Sequence, residues 1–310
     1  MSHKIGQCSP SGVRQEGNNF AHYAIARAAA AVGDLNFAMP RPHWCGLAEA
    51  HDLASVLPDV VSRVDSARVD TSAAVELTCS ASKKAAHRAR DAYSPYVDTS
   101  TFHDEVRTGL QAWGTCVGFP KDGDELDDVA IHVRLGDVLA TGIYGMVTMP
   151  KLLAFIPRHA TSVGIITQPF HRSCSESDYR SALPGLSHKI DRDACSCTSA
   201  ALVDAIIATI KRRYPYMRIT LRDQDERLGS YYRLALAPLT SVCQLSSFCR
   251  WPTLAAPFGI LLGGFDAGDS TLVPFRSLFD FVENHTSACN GITPEAALKW
   301  YNTSLEGSVA

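Results

Sequence analysis

The 310-residue chain holds no apolar run long enough to cross a bilayer as a helix: its longest uncharged apolar stretch near the C-terminus, 254–265, contains Pro257 and three glycines. No apolar segment follows Met1-Ser2-His3-Lys4 in the manner of a signal peptide. A lumenal home therefore expects an N-terminal anchor that has been removed or lies outside this sequence. There is no basic excess either: 29 Lys and Arg against 32 Asp and Glu give a net charge of -3, which argues against nucleic acid as the main partner. None of the ten cysteines forms a Cys-x-x-Cys pair, so a structural zinc site is not expected. No Asp-x-Asp motif is read in a strand-end context suited to metal, which disfavours chemistry that depends on a metal held there. Internal repeats and low-complexity tracts are missing too.

What is present is an ordinary globular composition, 46% hydrophobic and 20% charged, in a chain long enough for two domains or one large α/β domain. Ten scattered cysteines and two sequons, at Asn284 and Asn302, fit disulfides in an oxidising lumen. Buried free thiols are the bland alternative.

Periodicity predicts alternating helix and strand. A polar turn, Arg14-Gln15-Glu16-Gly17-Asn18-Asn19, runs into an alanine-rich helix that Asn18 or Asn19 caps and Gly33 closes, and 35–40 reads as a short strand. Between 41 and 120 only two helix-like patches stand out, 48–56 and 82–92. The charged, turn-rich Pro120-Lys121-Asp122-Gly123-Asp124 suits a linker. Beyond it, 128–134 and 162–167 read as buried parallel strands. A helix is predicted over 199–213, capped by Ser199, with Leu202, Ile206 and Ile210 on one face and Lys211-Arg212-Arg213 at its negative end. Pro215 stops it. Strand 217–221, helix 231–236 and strand 241–243 follow, and the alternation marks a doubly wound α/β arrangement.

The strongest constellation is His132-Val133-Arg134-Leu135-Gly136-Asp137. Strand alternation puts His132 and Arg134 on one face, and Gly136 allows a tight turn just beyond them. An arginine at the carboxyl end of such a strand presents a forked donor set to a diphosphate. A structural Arg–Asp ion pair at a strand end is the competing reading. Asp223 and Asp225, after strand 217–221, sit where ribose or base could be read, although a solvated charged loop explains them equally well. His22 and Tyr23 of the first helix are weaker cleft-lining candidates.

This segment resembles the His-x-Arg-Arg-x-Asp and His-x-Arg-x-Gly-Asp signatures of the GDP-fucose fucosyltransferases of the α1,2, α1,6 and protein-O types. Leu135 stands where the α1,2 and α1,6 signature has its second arginine. Two further segments match in the same order. Gly17-Asn18-Asn19-Phe20-Ala21-His22-Tyr23-Ala24 resembles the loop and helix that open the α1,2 type. Val242-Cys243-Gln244-Leu245-Ser246-Ser247-Phe248 resembles the donor-binding segment after the last central strand. Where the α1,6 family has an acidic residue about a dozen positions before its Val-Cys pair, this chain has Tyr231.

The resemblance implies a GT-B-like α/β architecture, two facing Rossmann-like domains with a cleft between them. The N-terminal, acceptor-side domain would span 1–122 and the nucleotide-sugar-binding domain 123–310. It implies an inverting, metal-independent fucosyltransferase that transfers fucose from GDP-fucose to a glycan or protein hydroxyl in the Golgi or endoplasmic reticulum lumen, with no cofactor beyond the donor substrate. Catalytic roles would fall to Arg134 on the pyrophosphate and to Glu16 or Asp137 as base. Donor binding would fall to His132, Arg134, Gly17, Asn18, Asn19, Ser246, Ser247 and Phe248, the serines holding phosphate oxygens at a helix start. The alternative is a non-catalytic relative that keeps the fold and binds a glycan or protein. A sulfotransferase-like reading is minor, since no phosphate-binding loop follows the first strand.

Overall fold

The computed structural model describes residues 99–262, apart from 122, 137–138, 140–144, 171–191, 226 and 245, together with 272–274, 295 and 297–299. The expected N-terminal helix and strand, and the patches at 48–56 and 82–92, lie outside these residues. The chain is α/β, and its contacts divide it into two compact units. One comprises Met1–Glu125, Arg227–Leu236 and Ser247–Ala256, the other Leu126–Glu226, Ala237–Ser246 and Pro257–Ala310.

The second unit is built on a sheet of five parallel strands: β1 (Val129–His132), β3 (Ser162–Ile166), β4 (Arg218–Arg222), β5 (Thr240–Gln244) and β6 (Gly259–Leu262). A separate antiparallel ladder joins β2 (Gly145–Val147) to β7 (Leu272–Pro274). The five strands lie in the order β4-β3-β1-β5-β6. Counted along the chain within this sheet, the order is third, second, first, fourth, fifth. That is the doubly wound pattern in which the winding reverses beside the first strand.

β1, β3 and β5 are buried along their whole length, as central parallel strands must be. The edges β4 and β6 are more exposed. Asp128 ties the starts of three strands together. Its Oδ2 accepts from the Thr161 backbone N–H and hydroxyl, both at 2.7 Å, and from Ser162 N–H at 3.2 Å. Its carbonyl oxygen accepts from Leu239 and Thr240 N–H.

Helices α2 (Met149–Ala154) and α3 (Arg192–Arg213) share a core with this sheet. Leu202, Ile206 and Ile210 are buried in this core, as their spacing predicts, together with Ile131, Ile165 and Val242. Lys211, Arg212 and Arg213 occupy the last turn as expected. The helix start is a correction. α3 begins at Arg192, not at Ser199, and Ser199 is a fully buried residue in its interior. Its hydroxyl serves a loop instead of capping a helix.

The described part of the first unit is helical. α1 (Thr99–Val117) and α4 (Arg227–Leu236) pack with α5 (Ser247–Ala255). Val106, Leu110 and Trp113 form the buried stripe of α1. Gly118, at φ 64°, ends α1 in the left-handed region, and Phe119 N–H returns to Gly114 C=O at 2.8 Å. Trp113, Phe119 and Tyr232 form an aromatic cluster with ring centroids 5.3–6.2 Å apart. Arg233 is buried beside it, with its guanidinium over the Phe119 ring at 5.0 Å and an ion pair to Asp124. Among the described residues no helix is long and apolar enough to cross a membrane.

Candidate functional site

The site is built at the carboxyl end of β1. β5 lies on one side of that strand and β3 on the other, and His132 is in register with Cys243 and with Ile166. The reversal of winding falls between β1 and β5, which is where open α/β sheets leave a crevice for ligands.

Strand β1 ends at His132, two residues short of the expected span, but pairing continues one step, with Val133 N–H donating to Ile166 C=O at 2.9 Å. The side chains of His132 and Arg134 differ in burial. His132 is buried, and burial together with the neighbouring Arg134 charge pushes its pKa down to about 3. It is a neutral imidazole near pH 7. Arg134 is half-buried, and its Nη1 donates to Gln168 Oε1 at 3.0 Å. Gln168, two residues beyond β3, was not among the residues the motif singles out. Its only signal is that it follows the strand next to β1 in space.

Gly136 turns the chain at φ 72°, as its position in the motif predicts. Its N–H donates to Ser199 Oγ at 3.2 Å, and the Cys195 sulfur lies 3.3 Å from its carbonyl oxygen. The loop that carries Arg134 is thus held by β3 at its start and by α3 at its end.

Of the other predicted residues, Ser246, Ser247 and Phe248 fall among the described ones. Ser246 follows β5 and is half-buried, and Ser247 opens α5. Phe248 packs on the fully buried Tyr231, ring centroids 4.5 Å apart, within the helical unit. Glu16, Gly17, Asn18, Asn19 and Asp137 lie outside the described residues, as do His22 and Tyr23.

Asp223-Gln224-Asp225 follows β4 directly, with both aspartates part-buried. β4 is an edge strand two places from β1, about 10 Å away along the sheet at ordinary strand spacing. The triplet is thus displaced from the reversal of winding. Among the described residues no group of three or more His, Cys, Asp or Glu side chains is placed to hold a metal ion.

Every cysteine among the described residues, Cys116, Cys195, Cys197, Cys243 and Cys249, is disulfide-bonded. Comparison with family models, curated proteins and solved structures returns no match to this chain.

Proposed function

We propose that the protein is a glycosyltransferase that binds a nucleotide sugar, GDP-fucose by its motif resemblance, and transfers the sugar with inversion to a hydroxyl of a glycan or protein without a metal ion. The observation that carries this reading is the position of Arg134. A half-buried guanidinium stands just past the carboxyl end of the central strand, beside the reversal of winding, on a loop gripped at both ends. An arginine at such a position supplies directed N–H donors and positive charge for a diphosphate leaving group.

In the chemistry proposed, the bond from the anomeric carbon to the diphosphate oxygen breaks as the acceptor oxygen attacks from the opposite face. Arg134 stabilises the negative charge that develops on the departing nucleoside diphosphate. Glu16 or Asp137 takes the acceptor's proton. The neutral imidazole of His132 lies buried at the end of the same strand. In the two-domain arrangement implied by the resemblance, residues 123–310 hold the donor and residues 1–122 the acceptor. The disulfide-bonded cysteines support an oxidising compartment, the Golgi or endoplasmic reticulum lumen.

The test is Arg134→Ala, followed by GDP-fucose turnover with the fold checked by circular dichroism. A loss of roughly 30- to 1000-fold is expected, equivalent to about 2–4 kcal/mol of transition-state stabilisation. Unchanged turnover refutes the assignment.

One observation favours a second reading, a non-catalytic relative. Tyr231, in the place of the acidic residue of the α1,6 family, is buried against Phe248. A thermal-shift panel separates the two, because a bound ligand raises stability by an amount that grows with the logarithm of its concentration over its Kd. Stabilisation by GDP, but not by UDP or ADP, supports the transferase. No response to any nucleotide supports the binding protein.

A further inference from the structure

We infer that Gln168 is a positioning residue for the anion-binding guanidinium, an inference that rests on the donor-site reading of Arg134. The segment leaving β3 makes two contacts with the loop that leaves β1. At the backbone, Ile166 C=O accepts from Val133 N–H at 2.9 Å. Two residues further on, Gln168 Oε1 accepts from Arg134 Nη1 at 3.0 Å. One strand exit thus sets both the path of the loop and the direction of the side chain it carries.

The physical consequence is pre-organisation. An arginine side chain has several rotatable bonds, and a ligand that must immobilise it loses affinity to the ordering entropy. An acceptor that already holds one Nη fixes the plane of the guanidinium before the ligand arrives. Any N–H group of the planar fork that meets the ligand then has a defined direction. The acceptor's chemistry matters equally. An amide oxygen orients the guanidinium without adding charge, whereas a carboxylate at the same distance lowers the net charge offered to a phosphate by one unit. Glutamine and glutamate are nearly isosteric, so exchanging them changes the charge and little else.

The experiment measures binding of GDP and of inorganic pyrophosphate by calorimetry to the wild-type protein and to Gln168→Glu, Gln168→Ala, Gln168→Asn and Arg134→Ala, with melting temperatures recorded for each. Gln168→Glu is expected to weaken both ligands by about tenfold or more, with the loss shrinking as salt is raised. Gln168→Ala is expected to weaken them by about threefold to tenfold. Gln168→Asn keeps the amide on a shorter arm and falls between Gln168→Ala and wild type. Melting temperatures close to wild type across the Gln168 variants separate this pattern from a general loss of structure.

If the Gln168 variants all bind within twofold of wild type while Arg134→Ala has lost binding, the inference fails and the donor-site reading stands. Equal losses in Gln168→Glu and Gln168→Ala, each with a lowered melting temperature, also overturn it, because the residue then acts only on the fold. If Arg134→Ala itself binds both ligands like wild type, the donor-site reading falls and takes the role of Gln168 with it.

Discussion

Asp127 Oδ2 lies 3.0 Å from Arg222 Nε, and the two groups meet across the face of Gly164 in β3. Both side chains are largely buried. A Cβ at Gly164 would stand 2.4 Å from the Asp127 oxygen, so the absence of a side chain there is what allows the start of β1 to reach the end of β4. Gly164→Ala must push the carboxylate aside and separate a buried pair. A loss of about 3 kcal/mol in urea unfolding is expected, and Arg222→Ala should cost a similar amount. Gly164→Ala with an unchanged midpoint would show that the pair relaxes at no cost.

The Gly136 turn should be sensitive at both of its supports. Gly136→Ala forces an alanine to φ 72° and is expected to cost about 1–2 kcal/mol. Ser199→Ala removes the acceptor of a buried N–H and should cost about 1–3 kcal/mol. Because both changes act on one contact, their sum should exceed the loss in the double variant. Strict additivity in a double-mutant cycle would separate Ser199 from the turn.

His132 predicts a distinct acid limb in the stability profile. Its folded-state pKa, pushed to about 3, lies below the ordinary 6.5, so between these values the unfolded chain binds the extra proton. The stability it confers is complete above pH 6.5 and is lost as the pH falls toward 3. The slope is at most about 1.4 kcal/mol per pH unit for this single proton. Asp128 acts lower. Burial opposes its charge, but the Thr161 and Ser162 donors and the Arg218 charge prevail and hold its pKa below 3.8. Its contribution is present above 3.8 and fades below. His132→Gln should therefore flatten the profile between pH 6.5 and 4 and leave the region below 3.8 steep. Identical profiles for the variant and wild type would contradict a neutral, buried His132.

In the helical unit, Arg233 combines an ion pair to Asp124 with ring stacking, and its own side chain is almost fully buried. Arg233→Ala leaves the Asp124 carboxylate, which is less buried, without its cation and opens space beside Phe119. Destabilisation of about 3 kcal/mol is expected. Arg233→Met refills the volume with apolar atoms but leaves Asp124 equally uncompensated, so it should recover only the packing share of that loss. Equal losses in thermal unfolding would locate the effect in the charge and not in the packing.

At the site itself, Arg134→Lys keeps the charge and removes the planar fork. GDP binding should weaken by about tenfold, less than in Arg134→Ala, with KM rising more than kcat falls. Full retention of affinity would show that a point charge is sufficient there.

Much of the sheet was legible because buried parallel strands are short apolar runs between turn signals. The runs at 128–134, 162–167, 217–221 and 241–243 all mark strands that form, with ends displaced by one or two residues. The stripe of Leu202, Ile206 and Ile210 located α3 for the same reason. The sequence between 41 and 120 reads less clearly than the rest, so α1 was not foreseen there, although Val106, Leu110 and Trp113 keep helical spacing and Gly118 ends it. Ser199 misled for a definite reason. A serine before an apolar helical face is the usual sign of an N-cap, and its tertiary use by Gly136 leaves no local trace.

By itself the sequence determined the alternation of strand and helix, the apolar faces, the glycine at the Arg134 turn and the order of residue types along the motif. Those properties follow from local stereochemistry and hydrophobic periodicity, which act over a few residues. Only the tertiary structure decided that β1 lies between β3 and β5, that Gln168 grips Arg134, and that Asp127 crosses Gly164 to reach Arg222. Each of these joins residues more than thirty positions apart. Their partners are selected by how strands stack and by which charges must be neutralised once buried, not by neighbours in the chain.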